Sequence, residues 1–208
     1  IIHEVFDGPM ALFDAIRQGR VDRVFNLLHG PDGEDGSLQG ALQLMKIPVT
    51  GADLASSALS MDKVRSKWVW ERNGISTPPF MHFGPHEDDY QRALESFGLP
   101  VFVKPTCLGS SIGVSKVKSA SELRAAVEVA RSHGSTISIE KEIRGGEYFA
   151  GILEEMTLPL IRVVTPREFY DYTAKYESDE TCYHCPSGLP PELEQDLKLQ
   201  SLRAFQLL

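Results

Sequence analysis

Apolar and polar residues over the first fifty positions follow the pattern of an open α/β unit. The segment RVFNLLHG predicts a buried strand that ends at His29 and Gly30. After a polar loop, SLQGALQLMKI has helical spacing with Ser37 as the predicted N-cap, and IPVTG predicts a short strand. Because ligands of such sheets bind beyond the carboxyl ends of the strands, the loop from His29 to Gly36 is a candidate site.

The remaining pattern predicts an α+β unit followed by the start of another sheet. Helices are predicted within residues 60–74, with Ser60 as N-cap and Gly74 as stop, within residues 88–98, and within residues 119–134, where Ser119 and Glu122 have capping-box spacing. Strands are predicted at residues 99–105, 135–143, 147–155 and 158–164, the last two as a hairpin. A long polar and aromatic loop follows. Two or three domains of modest size fit this pattern.

Composition narrows the class of partner. The chain has 208 residues, of which 42% are hydrophobic and 24% charged, and a formal net charge of -8. This negative charge disfavours nucleic acid or an anionic membrane as the main partner. No apolar run approaches the roughly 20 residues that span a bilayer, and no signal peptide is visible. An anion bound by this chain must therefore be held by local geometry.

The three cysteines do not form a disulfide framework. Their odd number and spacing favour a reducing cytoplasm. Cys182, His184 and Cys185 are close in sequence, but a structural zinc ion needs four ligands and no second pair appears. We interpret CYHC as part of a loop or strand.

The segment VFVKPTCLGSSIGVSKV raises a chemical question, because a turn rich in glycine and serine follows a strand that ends near a lysine. Backbone amides of such a turn bind phosphate oxygens, and Lys104 and Lys116 would add positive charge. The spacing is neither that of a Walker A loop nor that of a Rossmann fingerprint. A plain turn remains the alternative.

Four further residues have both a functional and an ordinary interpretation. Glu140 and Lys141 at a strand end would suit a purine and a ribose, or belong to an exposed charged strand. His29, near Glu34 and Asp35, would suit a small polar substrate, or be a loop histidine. Lys63 lies in the first turn of a predicted helix, where the helix dipole disfavours a cation. Its amine would therefore have a functional role there, or it is a solvated lysine for which this penalty is small.

Five segments in order make the pattern specific: LLHGPDGEDGSLQGALQLMKIPVTG, SALSMDKVRSK, VKPTCLGSSIGVSK, IEKEIRGGEY and FYDYTAKYESDETCYHCP. From about Arg23 to Leu208 the sequence strongly resembles the D-alanine–D-alanine ligase family of the ATP-grasp superfamily. The segments HGPDGEDG and YDYTAKY are typical of this family, whereas KPTCLGSSIGV alone would indicate ATP-grasp enzymes in general.

The resemblance implies a fold of mixed α/β and α+β type, an ATP-grasp architecture of three domains with ATP between the central and C-terminal ones. We expect a partial Rossmann-like N-terminal domain at residues 1–52, a central domain at residues 53–140, and a partial C-terminal domain with an active-site covering loop at residues 141–208.

The resemblance also assigns nucleotide contacts. Lys63 and Lys104 are expected to contact the phosphates, and Gly109, Ser110 and Ser111 to close over them. The adenine pocket is expected to include Glu140, Lys141 and Ile143, the ribose is expected at Glu147, and Lys175 is also expected at the nucleotide.

For the reaction, the resemblance implies that one D-alanine carboxylate attacks the γ-phosphate and that the amine of a second D-alanine attacks the resulting acyl phosphate, giving the dipeptide used for peptidoglycan. Ser110, Lys175 and Tyr176 are the expected catalytic residues, with Ser110 and Tyr176 as a linked pair. His29 and Tyr176 are the expected substrate contacts. Tyr176 in the AKY pattern favours an amine as the second nucleophile.

Alternatives stay open at this point. They are a ligase that prefers D-lactate or D-serine as second substrate, a non-catalytic nucleotide-binding fragment, and a generic ATP-grasp carboxylase or ligase with another acid substrate. The Mg2+ or Mn2+ ligands of the family are expected beyond Leu208, and both ends are expected to be truncated, so no metal ligand is assigned here. We expect a cytoplasmic homodimer that binds D-alanine and ATP, but neither nucleic acid nor a membrane.

Overall fold

A computed structural model describes residues 3–208, which contain both helices and strands, as the predicted fold class requires. The chain forms two compact units, one up to Asp62 and the other from Lys63 to Leu208. The domain boundaries expected near residues 52 and 140 stay predictions. In the described part, no helix is long and apolar enough to cross a membrane.

The first unit consists of three helices around a small apolar core. Helices α1 (Pro9–Arg17), α2 (Ser37–Leu44) and α3 (Leu54–Met61) are connected by irregular segments. Leu12, Leu38 and Leu42 are buried in its centre.

The buried strand predicted at residues 23–30 is wrong. Only an isolated parallel bridge forms, between Val24 and Val49. Phe25 is 72% exposed and Leu27 70% exposed, so the apolar run is not buried in this unit. A strand needs neighbours along its whole length to satisfy its backbone groups, and within the described residues this segment pairs at one residue.

Two predicted N-caps are also wrong. Helix α2 begins at Ser37 itself, and its N-cap is Gly36, whose φ of 91° suits a residue without a Cβ atom. Ser60 lies in the last turn of α3, which is capped instead by Asp53 through a hydrogen bond from the Ser56 amide, 2.8 Å. The next helix, α4 (Lys63–Arg72), therefore begins at Lys63 and not at Ser60.

The second unit is built on a four-stranded antiparallel sheet. Its strands are β1 (Phe80–Phe83), β2 (Val101–Pro105), β3 (Ser115–Val117) and β4 (Ile137–Lys141), in the spatial order β1-β4-β2-β3. Helix α5 (Gln91–Phe97) lies between β1 and β2 in sequence, and α6 (Leu123–Ser132) lies between β3 and β4. The predicted capping box of Ser119 and Glu122 is confirmed in the 3-10 turn Ala120–Glu122. Residues of both helices share one buried core with the strands.

The position of β4 inside the sheet decides the environment of its side chains. Four consecutive residues from Ile137 to Glu140 are buried, on both faces of the strand. A carboxylate, that of Glu140, thus lies in the interior, where a charge requires a partner.

A second, three-stranded sheet has the order β5-β8-β9, with β5 (Glu147–Phe149), β8 (Ile161–Val164) and β9 (Cys182–His184). The predicted pairing of residues 147–155 with 158–164 is confirmed for β5 and β8. Between these two strands in sequence, β6 (Ile152–Leu153) and β7 (Met156–Thr157) form a separate two-stranded sheet. Helix α7 (Tyr172–Tyr176) lies in the predicted long loop, and α8 (Pro191–Gln206) is the last element.

Candidate active site

The hairpin between β2 and β3 has the backbone geometry of an anion-binding turn. Ser110, Ser111 and Gly113 have φ angles of 54°, 59° and 69°, in the left-handed region. Turn conformations of this kind orient successive amides toward one point and so form concave anion sites. At Gly113 a Cβ atom would come within 2.9 Å of Pro105, so glycine is required there.

A second segment closes on this hairpin through hydroxyl and ammonium groups. The hydroxyl oxygens of Ser110 and Tyr176 are 2.8 Å apart and form a hydrogen bond. The Lys175 ammonium donates to Ser111 Oγ at 2.9 Å, and that hydroxyl donates to the Tyr170 carbonyl at 3.1 Å. The structure therefore brings together the four predicted residues Ser110, Ser111, Lys175 and Tyr176.

Local capping explains why α7 presents these side chains. Asp171 is the N-cap and accepts a hydrogen bond from the Ala174 amide at 2.8 Å. The same carboxylate accepts from Arg167 Nε at Oδ1 and from Arg167 Nη2 at Oδ2, and this bidentate contact lowers the pKa of Asp171. Lys175 and Tyr176 are the last two residues of this short helix. Because the cap fixes the start of the helix, it also fixes the positions of these two residues.

Two of the predicted phosphate lysines lie at the base of the hairpin. The Lys63 ammonium donates to the Leu108 carbonyl and lies 3.5 Å from the Thr106 carbonyl oxygen. Lys104 extends from β2 and donates to Glu140 Oε2 at 2.9 Å. Glu147 begins β5, and its pKa is raised by partial burial although the positive charges of Lys175 and Lys104 oppose that rise.

Glu140 is the most strongly enclosed of the predicted site residues, with 3% of its side chain exposed. Its Oε2 atom accepts from Lys104 and also lies 3.1 Å from the ammonium of Lys67, while Ser138 donates to its Oε1 at 3.2 Å. Burial alone would raise the pKa of Glu140, but the two lysines together lower it. The carboxylate faces these lysines, and a contact of Glu140 with an adenine stays a prediction.

Lys67 was missed by sequence reasoning. It lies one helical turn after Lys63 on α4, and that i, i+4 spacing is the signal that would have indicated it. Its ammonium also donates to the Pro78 carbonyl at 3.2 Å and lies 5.0 Å from the centre of the Phe80 ring. Burial lowers the pKa of Lys67, and the negative charge of Glu140 opposes that shift.

The remaining predicted nucleotide residues lie around the end of β4. Lys141 is the exposed last residue of that strand, and Ile143 is 64% exposed in the segment after it. A surface cavity of about 490 Å³ adjoins this segment. Its lining residues are Leu99, Pro100, Lys116, Lys118, Glu142, Arg144 and Glu168.

The expectation that Lys116 adds positive charge to the hairpin is wrong. Its ammonium is engaged by Glu142 at 2.6 Å and by Glu168 at 2.9 Å. Hydrogen bonds to these two carboxylates raise the pKa of Lys116.

His29 belongs to the first unit and lies in an ordered loop. Its ring Nδ1 is 3.7 Å from Glu34 Oε1, and the other oxygen of that carboxylate accepts from the Gly30 amide at 2.6 Å. Asn26 and Gln39 both donate to the Gly33 carbonyl and secure the turn. The His29 side chain is 89% exposed, and its contact with a substrate stays a prediction.

Within residues 3–208, no group of three or more His, Cys, Asp or Glu side chains is arranged to hold a metal ion. Cys182 and His184 belong to strand β9, as one of the two interpretations of CYHC requires. The described residues therefore do not provide a ligand set for Mg2+ or Mn2+.

Comparison with known proteins identifies the same family along both units. Residues 8–52 match the family model described as D-ala D-ala ligase N-terminus, and residues 69–208 match D-ala D-ala ligase C-terminus. The chain is 44% identical to D-alanine–D-alanine ligase B of Chromobacterium violaceum, covering 98% of this chain and 67% of that protein. It is 46% identical to D-alanine–D-alanine ligase of Methylococcus capsulatus, covering 98% and 66%.

Solved structures agree with this assignment. The D-alanine–D-alanine ligase from Bacillus anthracis superposes with a TM-score of 0.82 at 35% identity, covering 94% of this chain and 64% of that one. The VanG D-Ala:D-Ser ligase from Enterococcus faecalis has a TM-score of 0.78 at 35% identity, covering 90% and 56%. The chain spans about two thirds of the length of the curated relatives that it matches. Motifs, ATP-grasp fold and relatives all agree, and the chain belongs to the D-alanine–D-alanine ligase family.

Proposed function

We propose that the protein containing this chain joins two D-alanine molecules at the expense of ATP, as its relatives are named for doing, and supplies the dipeptide for peptidoglycan. The observation that supports this most directly is the contact between the hairpin and α7. Ser110 bonds Tyr176, and Ser111 bonds Lys175, so a phosphate-binding turn and a covering helix are already joined. A turn that only connected two strands would not need this second layer.

In the proposed binding step, the hairpin and its lysines hold the triphosphate of ATP. The left-handed backbone at Ser110 and Ser111 presents amides to phosphate oxygens, and Lys63, Lys104 and Lys175 add positive charge. A similar structure, that of the Bacillus anthracis ligase complexed with ATP, has a TM-score of 0.80 at 31% identity and supports the choice of nucleotide. Lys141, Ile143 and Glu147 are proposed to face the adenine and the ribose.

In the proposed chemical steps, a carboxylate oxygen of the first D-alanine attacks the γ-phosphorus, and the bond from that phosphorus to the β,γ-bridging oxygen breaks to release ADP. The free amine of the second D-alanine then attacks the acyl phosphate carbon. The tetrahedral intermediate loses inorganic phosphate and a proton to give the dipeptide. Fixed cations lower the cost of bringing two anions together, which is where Lys104 and Lys175 act.

Exclusion of water is the second requirement, because an acyl phosphate hydrolyses. The Ser110–Tyr176 and Ser111–Lys175 bonds hold α7 over the hairpin, as a lid would. Mg2+ or Mn2+, when bound, would neutralise phosphate charge, but residues 3–208 offer no ligand set for it.

A D-serine-adding activity is the second candidate, favoured by the likeness to the VanG ligase. Tyr176 in the sequence AKY favours an amine over a hydroxyl as nucleophile, which disfavours D-lactate but does not separate D-alanine from D-serine. We place D-alanine first because the curated relatives are named D-alanine–D-alanine ligases. We also propose that the protein is a homodimer and that it is located in the cytoplasm.

The test is product formation by the intact protein with ATP, Mg2+ and D-alanine, with L-alanine as control. We expect ADP, phosphate and D-alanyl-D-alanine only with the D-enantiomer. Competition between D-alanine, D-serine and D-lactate at equal concentrations separates the two candidates. ADP release that does not depend on D-alanine would overturn the proposal, and nucleotide binding without turnover would indicate a non-catalytic module.

A further inference from the structure

Two lysines share one carboxylate oxygen in the interior of the second unit. Lys104 and Lys67 lie 2.9 Å and 3.1 Å from Glu140 Oε2. A buried carboxylate needs one cation for neutrality, so this group of three has one positive charge in excess. Within this group the second cation has no carboxylate of its own to offset its partial desolvation.

The two lysines differ in how firmly they are held. Lys67 has 9% of its side chain exposed, and it also contacts the Pro78 carbonyl and the Phe80 ring. Lys104 has 24% exposed and extends from the alternating strand β2 beside the hairpin. Lys104 is therefore the one that can leave Glu140 and turn outward, whereas Lys67 stays.

We propose that Lys67 is a positioning residue that keeps Glu140 neutralised when Lys104 moves from that carboxylate to the nucleotide phosphates. This proposal rests on the proposed function, since it takes Lys104 to bind phosphate. With Lys67 in place, the departure of Lys104 leaves a neutral buried pair of Lys67 and Glu140. Without Lys67, the same movement would leave a buried carboxylate with no cation, so Glu140 would retain Lys104.

Ser138 completes the support of the carboxylate. Its hydroxyl donates to Oε1, the oxygen that neither lysine contacts. Glu140 thus keeps one contact on each oxygen after Lys104 has left. These two contacts keep the Glu140 carboxylate in place when Lys104 turns outward. The phosphate site therefore gains a cation, and the position of Glu140 does not change.

The test compares ADP with adenosine, because only ADP has phosphates for Lys104. Calorimetric titration of the intact protein and of Lys67→Gln, at one pH and salt concentration, gives the ratio of the two affinities. Glutamine removes the charge but retains a donor for the Pro78 carbonyl, and thermal unfolding checks that the variant is folded. We expect the ratio to fall about tenfold, equivalent to about 1.4 kcal/mol, with little change for adenosine.

Two variants separate positioning from simple packing. In Lys67→Gln combined with Glu140→Gln, no carboxylate retains Lys104, so we expect the ratio to recover most of its loss. Lys67→Arg keeps a cation and should keep the ratio. The matched control is Lys198→Gln, since Lys198 pairs with Glu194 within α8, outside this group and outside the cavity lining.

Each other result overturns a definite claim. An unchanged ratio in Lys67→Gln, an equal loss for adenosine and ADP, or a double variant no better than Lys67→Gln overturns the positioning role. ADP binding by the unsubstituted protein without dipeptide formation overturns the proposed function alone. Absence of ADP binding to the unsubstituted protein overturns both.

Discussion

Removal of the Tyr176 hydroxyl tests whether the junction between hairpin and α7 acts as one unit. Tyr176→Phe eliminates the 2.8 Å bond to Ser110 Oγ but keeps the ring and its contact with Tyr172, whose ring centre is 4.9 Å away. The two other bonds of the junction, from Lys175 to Ser111 and from Ser111 to the Tyr170 carbonyl, remain. We therefore expect weakened closure, not its loss.

The magnitude follows from the kind of bond that is lost. A hydrogen bond between two neutral hydroxyls contributes about 0.5–1.5 kcal/mol net. If that contribution is made in the closed state, kcat/KM for D-alanine falls about 2- to 13-fold. Stability should change little, because Tyr176 is 63% exposed.

The assay is a double-mutant cycle on initial rates of phosphate release. Ser110→Ala and Tyr176→Phe remove opposite ends of one bond, so the double variant should lose no more than the larger of the two single losses. Tyr172→Phe is the matched control on the same helix, since the Tyr172 hydroxyl forms no hydrogen bond within the described chain. Multiplicative losses in the double variant, or an equal loss in Tyr172→Phe, would refute the reasoning.

Two further predictions concern stability. Ile139→Ala in the centre of the sheet should lower the free energy of unfolding by about 2–5 kcal/mol. Val129→Ala on the exposed side of α6 should have a far smaller effect. Urea unfolding measures both variants, and equal losses would contradict the assigned core. Because the folded state lowers the pKa of Glu140 from 4.5, the unfolded state binds more protons below about that pH, and stability should fall as the solution is acidified. Unfolding curves at several acidic pH values should show a weaker dependence for Glu140→Gln, and an unchanged slope would rule out this contribution.

Local patterns predicted part of what local forces determine, since the N-caps predicted at Ser37 and Ser60 are wrong. The capping box of Ser119 and Glu122 was found correctly because both partners lie within one turn. Residues 23–30 have an apolar strand pattern, yet Phe25 and Leu27 are exposed. A strand depends on neighbours that its own sequence does not specify, and among residues 3–62 the bridge at Val49 is the pairing that the structure shows for this segment.

The site shows the same division at longer range. Ser110 and Tyr176 are 66 positions apart, and nothing in their spacing predicts contact; the resemblance to a known family named them because family motifs include residues near the ligands. Lys67 is the last residue of the quoted segment SALSMDKVRSK, and its i, i+4 spacing from Lys63 was the available signal, but only the structure shows its contact with Glu140. Its proposed role follows from burial, because an interior carboxylate that releases one cation needs a second cation that stays. Residues of this supporting kind are therefore the ones that charge and burial reveal after the fold is known.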